Sequence, residues 1–572
     1  MDNNELAGIF RRIAELLALK AENRFRIRAY QQAAQNIEHL GQNLEDIYKT
    51  DGLAGLQNIP GIGHDLSLKI EEYIKTGRVV SYRKLVKEFP KGMIELANIP
   101  GLGPKTALLL AKKHRIDSPA KLEKAALAGQ LRTLPGFGAK KEENILRGLD
   151  LKKKSRGRFL LDEAAAQAAL IVAELQKLPE AKKVLPCGSL RRGQETIGDI
   201  DILVIASKSE RIMNTFVSLP AVRNILARGE TKSSVILKNG MQADLRVVPA
   251  KSFGAAAHYF TGSKAHNIHI RQLAQQKGWK VSEYGIFKGN KQIGGATEEE
   301  VFGKFGLQYI PPELREMRGE FEAAAKGKIP KLVALTEIKG DLHMHTTATD
   351  GENSIEEMAL AARELGYEYI AITDHTQSTR IAGGLNEKET RENIRKVKAT
   401  AKKVKGIAIL AGAEVDILPD GTLDLSDDLL KELDLVLASV HSNFKMPGEK
   451  MTARVVKAFQ NKYVRVFTHP TGRLLGERAP YELDLEQVLQ AAKKFGIMIE
   501  VNSHPARLDL TDVWCKRAKE LGVKIVINTD AHSTDQLQLM KYGVLTARRG
   551  WLAKQDVANT LPLRQLLLEL KR

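Results

Sequence analysis

Gly188-Ser189-Leu190-Arg191-Arg192-Gly193-Gln194-Glu195-Thr196-Ile197-Gly198-Asp199-Ile200-Asp201 is the stretch on which the reading of this chain turns. A Gly-Ser turn and two arginines stand just ahead of two aspartates spaced i, i+2. The residues that follow, Ile202 to Ile205, are an apolar, largely β-branched run. The aspartates therefore belong on or at the edge of a strand, where residues i and i+2 face one side. Two carboxylates a few Å apart repel unless a divalent cation sits between them, and hard oxygen ligands suit Mg2+ or Mn2+. The Gly188-Ser189 turn and Arg192 add donors for a phosphate. Together these features point to nucleotidyl transfer with two metals.

A third carboxylate is expected at Asp244. Its segment, Met241 to Val248, reads as a strand and follows a hairpin signal at Lys238-Asn239-Gly240. Carboxylates on neighbouring strands can hold two cations roughly 3.5–4 Å apart, which clamp the attacking and leaving oxygens. A solvated acidic strand end is the plain alternative for Asp-x-Asp alone. The turn, the paired arginines and Asp244 outweigh it.

These residues resemble the palm of family X DNA polymerases, the relatives of DNA polymerase β. Gly188 to Gly193 are similar to the family's triphosphate-binding motif. Asp199, Asp201 and Asp244 are similar to its catalytic triad, in which the first two hold both metals and the third helps activate the primer 3′-hydroxyl. The resemblance implies nucleotide binding by Gly188, Ser189, Arg192 and Gly198, with Ser189 and Arg192 on the β,γ-phosphates. Tyr259-Phe260-Thr261-Gly262-Ser263 resembles the sugar-and-base contact segment, so Tyr259, Phe260 and Gly262 join the set, with Arg271 on the following helix. Cys187 stands where many relatives have glycine, a small addition that the turn should tolerate.

Three copies of one pattern lie upstream: Ile59-Pro60-Gly61-Ile62-Gly63, Ile99-Pro100-Gly101-Leu102-Gly103 and Leu134-Pro135-Gly136-Phe137-Gly138. Each joins two helical patterns. Its glycines let backbone N–H groups approach a phosphate at a helix N-terminus, whatever the base. The pattern resembles the helix-hairpin-helix motif of DNA repair proteins, the third copy being the least distinctive. By that resemblance Gly61, Gly63, Gly101, Gly103 and Lys105 contact DNA on either side of a gap, and Arg26 and Tyr30 lie near a downstream 5′-phosphate. Lys69 aligns with the lysine that forms a Schiff base in 5′-deoxyribose-phosphate lyases. Asp65 stands where relatives place a further lysine, so a plain phosphate contact is the alternative role for Lys69.

Net charge supports a polyanionic partner. Of the +19 total, residues 1–338 carry +17 and residues 339–572 carry +2. The two cysteines, Cys187 and Cys515, are far apart, which fits a reducing compartment. No run of about 18 apolar residues exists, and the acidic N-terminus lacks a signal-peptide pattern. A cytoplasmic, nucleoid-associated monomer without membrane contact is expected.

From residue 339 onward the chain alternates apolar strand-like runs with amphipathic helices, as repeated βα units do. Examples are Tyr369–Thr373, Leu435–Ser439, Val464–Thr468 and Lys524–Asn528. Metal-ligand residues follow these runs, where βα barrels keep their chemistry. Seven of the 13 histidines lie here. His-x-His and Asp-x-His recur at successive strand ends, too often for isolated core histidines. Ligands of this kind without cysteine suit zinc, manganese or iron.

This half resembles the PHP (polymerase and histidinol phosphatase) domain, a distorted seven-stranded βα barrel with a trinuclear site. Nine residues match its ligand set. By the family pattern, His343, His345, Glu414 and Asp530 hold one metal. Glu414 bridges to a second held with His441 and His469, and Asp350, His375 and His532 hold the third. His504 is outside the set, as a neighbouring or substrate contact.

The expected fold is multidomain. Helical helix-hairpin-helix domains fill 1–85 (an 8-kDa-like DNA-binding domain) and 86–150 (fingers). An α+β nucleotidyltransferase follows, with its palm at 151–250 and thumb at 251–315, then a linker at 316–338 and the PHP barrel at 339–572. The resemblance implies a DNA-directed DNA polymerase that fills short gaps in base excision repair, using dNTPs and Mg2+ or Mn2+ on gapped or nicked DNA bearing a downstream 5′-phosphate. It also implies a PHP-domain 3′–5′ exonuclease using up to three Mn2+ or Zn2+ ions, with abasic-site (AP-endonuclease) cleavage as a further activity. A non-catalytic gap-binding scaffold and a nucleotidyltransferase fused to a small-molecule phosphatase are the alternatives.

Overall fold

Leu6, Phe10, Ile13 and Leu17 recur at helical spacing, and their side chains are buried. They lie on the helix Asn3–Leu19, which packs on Arg24–Glu38 through Tyr30, Ala33 and Ile37. The computed structural model describes all residues except 1–2, 21, 39–43, 60, 90–95, 97–101, 103, 135–136, 139–141, 143–144, 147–148, 150–156, 476–477, 479 and 572. Two compact units emerge, Met1–Arg158 and Phe159–Arg572.

The first unit is helical among its described residues. After the opening pair come Leu44–Gln57, His64–Thr76, Val80–Lys87, Pro104–His114 and Pro119–Leu127. Gly61 and Gly63 lie just before the helix His64–Thr76. Gly61 has φ +75°, and a Cβ there would meet Gln32 Cγ at 2.9 Å, so both backbone sign and space demand glycine. Gly63 caps the helix and has nothing within 4 Å of an added Cβ, which leaves that face open. Gly101 and Gly103 of the second hairpin lie outside the described residues, as do Pro135 and Gly136 of the third.

The second unit begins with a short pair, β1 (Phe159–Leu160) and β3 (Thr196–Ile197). Beside it is a five-stranded sheet of β2 (Lys183–Pro186), β4 (Asp199–Ile205), β5 (Val222–Arg228), β6 (Lys232–Leu237) and β7 (Gln242–Val248). Its order is β2-β4-β7-β6-β5, with β4 and β7 parallel. The pleat sends Ile200, Ile202 and Val204 of β4 and Ala243, Leu245 and Val247 of β7 into one core with the helix Leu161–Gln176. Asp199, Asp201 and Asp244 alternate with those residues and take the other face. A three-stranded antiparallel sheet follows: β8 (Trp279–Ser282), β9 (Gly285–Lys288) and β10 (Lys291–Gly294).

The last part holds seven parallel strands in sequential order: β11 (Gly340–Asp341), β12 (Tyr369–Ile372), β13 (Ala408–Asp416), β14 (Leu435–Ser439), β15 (Val464–Phe467), β16 (Met498–Asn502) and β17 (Ile525–Asn528). A parallel bridge between Met344 and Ala531 draws the first and last strand ends together, giving a nearly closed barrel. Leu342, Leu410, Leu437, Val466 and Val526 fill one cluster with Leu566 and Leu570 of the helix Leu563–Leu570, while alternate strand residues pack with the surrounding helices.

The stretch expected as a linker is packed. Glu316, Glu320, Val333 and Ile338 are buried. Phe321, Ile329 and Leu332 join the core of the three-stranded sheet, and Val333 and Ile338 join that of the barrel. Its charges give it a polar composition, and they pair with distant residues: Glu316 with Arg192 and Arg549, Glu320 with His266, and Arg318 with Asp512. Among the described residues no helix is long and apolar enough to cross a membrane.

Candidate active sites

The parallel register of β4 and β7 sets Asp201 opposite Asp244, with Asp199 two residues before on the same face. Gly188 adopts φ +63°, and a Cβ on it would fall 2.3 Å from Asp201 Oδ2. Only glycine allows the turn to sit this close to the carboxylate. The Cys187 amide donates to the Asp201 carbonyl (2.7 Å). The Cys187 side chain is wholly buried, and burial pushes its thiol up to about 12.

Burial, then Asp199 and Asp244, raises the Asp201 carboxyl to about 7. A site that makes its own carboxylate this hard to ionise is short of positive charge, and oxygen donors fit Mg2+ or Mn2+. The residues therefore fit the metals expected of them.

A cavity of about 460 Å³ opens beside the aspartates. Gly188, Ser189, Arg192, Asp199, Asp201, Tyr259, Phe260, Gly262 and Arg271 all line it, so most of the expected nucleotide-binding residues meet there. Thr261 of the contact segment lines it too, as do Lys264 and Asn267, which no motif marks in the sequence. A smaller pocket holds Asp201, Asp244, Lys232, Arg246 and Phe260. Arg192 carries two bonds to segments distant in the sequence. Its Nε donates to Glu316 Oε1 (2.8 Å) and its Nη1 to the Thr261 carbonyl (2.5 Å).

The barrel gathers a second centre at its C-terminal strand ends. His343 and His345 follow β11, His375 follows β12, Glu414 lies on β13, His441 follows β14, His469 follows β15, and Asp530 and His532 follow β17. Asp350 comes from the loop after His345. Three groups have donor atoms mutually within 4.8 Å: His345, Asp350, His375 and His532; His343, His345 and Asp530; and His375, Glu414 and His441. His469 Nε2 is 2.7 Å from Glu414 Oε1. All nine residues thus converge, with His345 and His375 shared between groups.

The fit to metal is direct. His345 Nδ1 is buried without a hydrogen-bond partner. His375 Nδ1 and Glu414 Oε2 lie 2.9 Å apart yet lack hydrogen-bond geometry, a spacing that suits two ligands of one ion. Against the effect of burial, Glu414 raises His375 to about 10 and His441 to about 9, protons that a cation would replace. His469 (φ +26°) and Asp530 (φ +56°) hold positive φ, a strain that collects at functional sites.

Two carboxylates behind the candidate ligands belong to no motif. Glu500 Oε2 lies 2.7 Å from His343 Nδ1, and Asp416 Oδ1 lies 3.2 Å from His441 Nδ1. Carboxylates of this kind fix the ring and raise its basicity. A glutamate within the buried apolar strand β16 was the available signal. His504, outside the nine, accepts at Nδ1 from the Ala506 amide (3.3 Å).

In the helical unit, Tyr30 is buried edge-on against Phe10 at 5.5 Å, and Arg26 lies 3.7 Å from Glu22. Lys69 Nζ donates to the Asp65 carbonyl (3.1 Å).

Comparison with known proteins matches these parts in order. Family models for a helix-hairpin-helix domain (1–79), a SAM-like helix-hairpin-helix tandem (93–151), the DNA polymerase beta palm (158–269), the DNA polymerase beta thumb (256–316) and the PHP domain (341–504) fit the chain. A DNA polymerase/3′-5′ exonuclease PolX of Bacillus subtilis (strain 168) is 38% identical over 576 residues, covering 100% of both chains. The chain belongs to the PolX family. The barrel alone is also similar to probable phosphatases. One from Thermoanaerobacter sp. (strain X514) is 31% identical over 38% of this chain and 89% of its own length. Another, from Caldanaerobacter subterraneus, is 32% identical over 34% and 75%. The PolX relative spans the hairpins and palm as well, whereas the phosphatases share only the barrel.

Proposed function

We propose that this protein is a DNA-directed DNA polymerase that fills short gaps during base excision repair, with a 3′–5′ exonuclease in its PHP barrel. The observation that carries the reading is the register of Asp201 against Asp244 beside a cavity lined by Ser189 and Arg192. End-to-end similarity to a PolX polymerase supports it.

Asp199, Asp201 and Asp244 would hold Mg2+ or Mn2+, which when bound neutralises the triphosphate and the attacking oxygen. Ser189 and Arg192 bind the β,γ-phosphates. Tyr259, Phe260 and Gly262 form the wall for sugar and base. Asp244 accepts hydrogen-bonding from the primer 3′-hydroxyl and takes its proton at a carboxylate oxygen. The nine barrel residues would hold up to three Mn2+ or Zn2+ ions, with abasic-site cleavage as a second reaction of the same centre. The hairpins at Gly61–Gly63 and Gly101–Gly103, with Lys105, Arg26 and Tyr30, grip gapped DNA and its downstream 5′-phosphate. Functional boundaries at residues 85, 150, 250, 315 and 338 and a monomeric, nucleoid-associated state in the cytoplasm complete the proposal.

Primer extension across a one-nucleotide gap, with and without the 5′-phosphate and in Mg2+ or Mn2+, tests it. Extension that ignores the 5′-phosphate would remove the gap-binding role, and no extension in either metal would remove the polymerase. Similarity of the barrel to probable phosphatases favours a second reading, phosphomonoester hydrolysis there. Release of inorganic phosphate from a 3′-phosphorylated primer, rather than of nucleotides from a 3′-hydroxyl end, would select it. A Schiff-base lysine is activated by desolvation or by a neighbouring cation, and Lys69 lies in an exposed setting with its amine on the Asp65 carbonyl. Borohydride is therefore expected to trap no adduct with a 5′-deoxyribose-phosphate end, and an adduct that disappears in Lys69→Ala would establish the lyase.

A further inference from the structure

We infer that Arg549, carried by the histidine-rich barrel, is a positioning residue for the polymerase: with Glu316 it holds Arg192 in the posture in which that side chain meets the triphosphate. The inference rests on the proposed reading of Arg192 as a phosphate ligand.

The loop that carries the triphosphate motif is held by the barrel at three places. Arg549 Nη1 donates to the Arg192 carbonyl (2.8 Å) and lies 3.1 Å from Glu316 Oε1. Gly193, at φ +65°, sits with its Cβ position 3.4 Å from Leu545 Cβ and 3.6 Å from Arg549 Cδ, both on the helix Met540–Arg549. Glu195 accepts two bonds from Arg473, at 2.5 and 3.1 Å.

Glu316 is the hub. Its Oε1 accepts from Arg192 Nε (2.8 Å), Gln194 Nε2 (2.6 Å) and Arg549 Nη1 (3.1 Å). Both Glu316 and Arg549 are 4% exposed. A carboxylate this buried is stable only while its cations stay in place, because removing one partner strands a buried charge. Burial would push the Glu316 carboxyl up, but Arg192 and Arg549 outweigh it and hold it at about 2. Arg549 is itself anchored, with Nη2 2.7 Å from Asp512 Oδ2, which also takes Arg318 at 2.9 Å.

The consequence falls on Arg192. A guanidinium carries five N–H donors. The bonds to Glu316 and Thr261 use Nε and one hydrogen of Nη1, so donors remain for a phosphate while the plane is fixed. Fixing it before the nucleotide arrives removes an ordering cost from binding. Arg549 also offsets the negative charge of Glu316, which would otherwise oppose a triphosphate close by. Because Arg549 acts through Arg192, its loss should weaken nucleotide binding and spare the chemical step.

The test uses full-length protein on a single-nucleotide gap, with KM for dNTP and kcat measured for wild type, Arg192→Ala, Arg549→Met, Glu316→Gln and each of the latter two combined with Arg192→Ala. Arg549→Met and Glu316→Gln are each expected to raise KM roughly 3–10-fold with kcat within about twofold. Neither should raise KM further in the Arg192→Ala background, since residues acting as a unit are non-additive. A general structural defect would instead add to Arg192→Ala and lower kcat. Unchanged KM in both single variants, or full additivity, overturns the inference. An unchanged KM in Arg192→Ala overturns the underlying phosphate-ligand reading. Should Arg549→Met fail to fold, the isosteric Glu316→Gln carries the test alone.

Discussion

The palm sets Asp199 and Asp201 on an open cavity with Asp244 in the smaller pocket beside it, whereas the barrel gathers nine candidate ligands at its strand ends. Among those nine, His343, His345, His375, Glu414, His469 and Asp530 are buried, and Asp350, His441 and His532 rim the opening. The palm triad is all oxygen and sits on adjacent parallel strands. The barrel set is mostly imidazole and comes from six separate strand ends and one loop. The difference is one of when the charge is balanced. In the palm, Asp201 stays reluctant to ionise until cations arrive, and a nucleotide can bring them. In the barrel, Glu414 and Asp530 already face imidazoles within 2.7–3.7 Å, so the cage is formed in advance.

The largest effect should come from Asp199→Ala combined with Asp201→Ala. Gap filling is expected to fall by at least about 10³-fold, since no metal pair can form without them. The exonuclease should stay within about twofold of wild type. Loss of both activities would mean that the two regions are not independent.

The reciprocal change is Glu414→Ala. Glu414 faces His343, His345, His375, His441 and His469, so its removal takes a carboxylate from beside members of all three groups. Exonuclease activity is expected to drop about 10²-fold or more, with gap filling unchanged. Metal analysis after dialysis should find ions retained by wild type and absent from the variant. Ions retained equally by both would show that the barrel is not the tight site.

A smaller effect tests the support rather than the ligands. Glu500→Gln keeps the shape beside His343 Nδ1 but loses the charge that orients the ring. Partners of this kind are typically worth about 10–100-fold in metal affinity or activity. The exonuclease should fall by that amount and recover in part at high Mn2+. No recovery would point to misfolding of β16 instead.

These two regions also differ in how much of them the sequence spells out. An i, i+2 pair of aspartates and the apolar run Ile202–Ile205 suffice to predict a shared strand face, because the period of a strand is local. The motif residues at 188–201 are contiguous, so their clustering around one cavity follows from a single turn. Strand-end histidines are legible because each βα unit repeats the same geometry. Glu316 and Arg549 are not legible. They lie 124 and 357 residues from Arg192 and meet it only once distant segments pack. The stretch around Glu316 looks like a polar linker for the same reason, since its charges are matched by partners that local composition cannot reveal. Glu500 falls between these cases: a charge inside an apolar run is visible, while its partner His343, 157 residues away, is not.

The smallest effect concerns stability, and it returns to the unbalanced charge of the palm. Asp201 is raised to about 7 in the folded protein by burial, Asp199 and Asp244, against about 4 in an unfolded chain. Between those values the folded state binds more protons than the unfolded one. Stability therefore falls as pH rises from about 4 to about 7, and the full penalty is present above 7. Asp201→Asn removes the titration. In EDTA the variant should melt a few °C above wild type at pH 8, and the gap should close as pH falls through 7 towards 4. Adding Mn2+ at pH 8 should reverse the order, because the wild-type carboxylate gains a partner that the amide cannot match. A variant that melts lower than wild type in EDTA at pH 8 would show that Asp201 is already paired without metal. The contrast with the preformed barrel would then fail on the palm side.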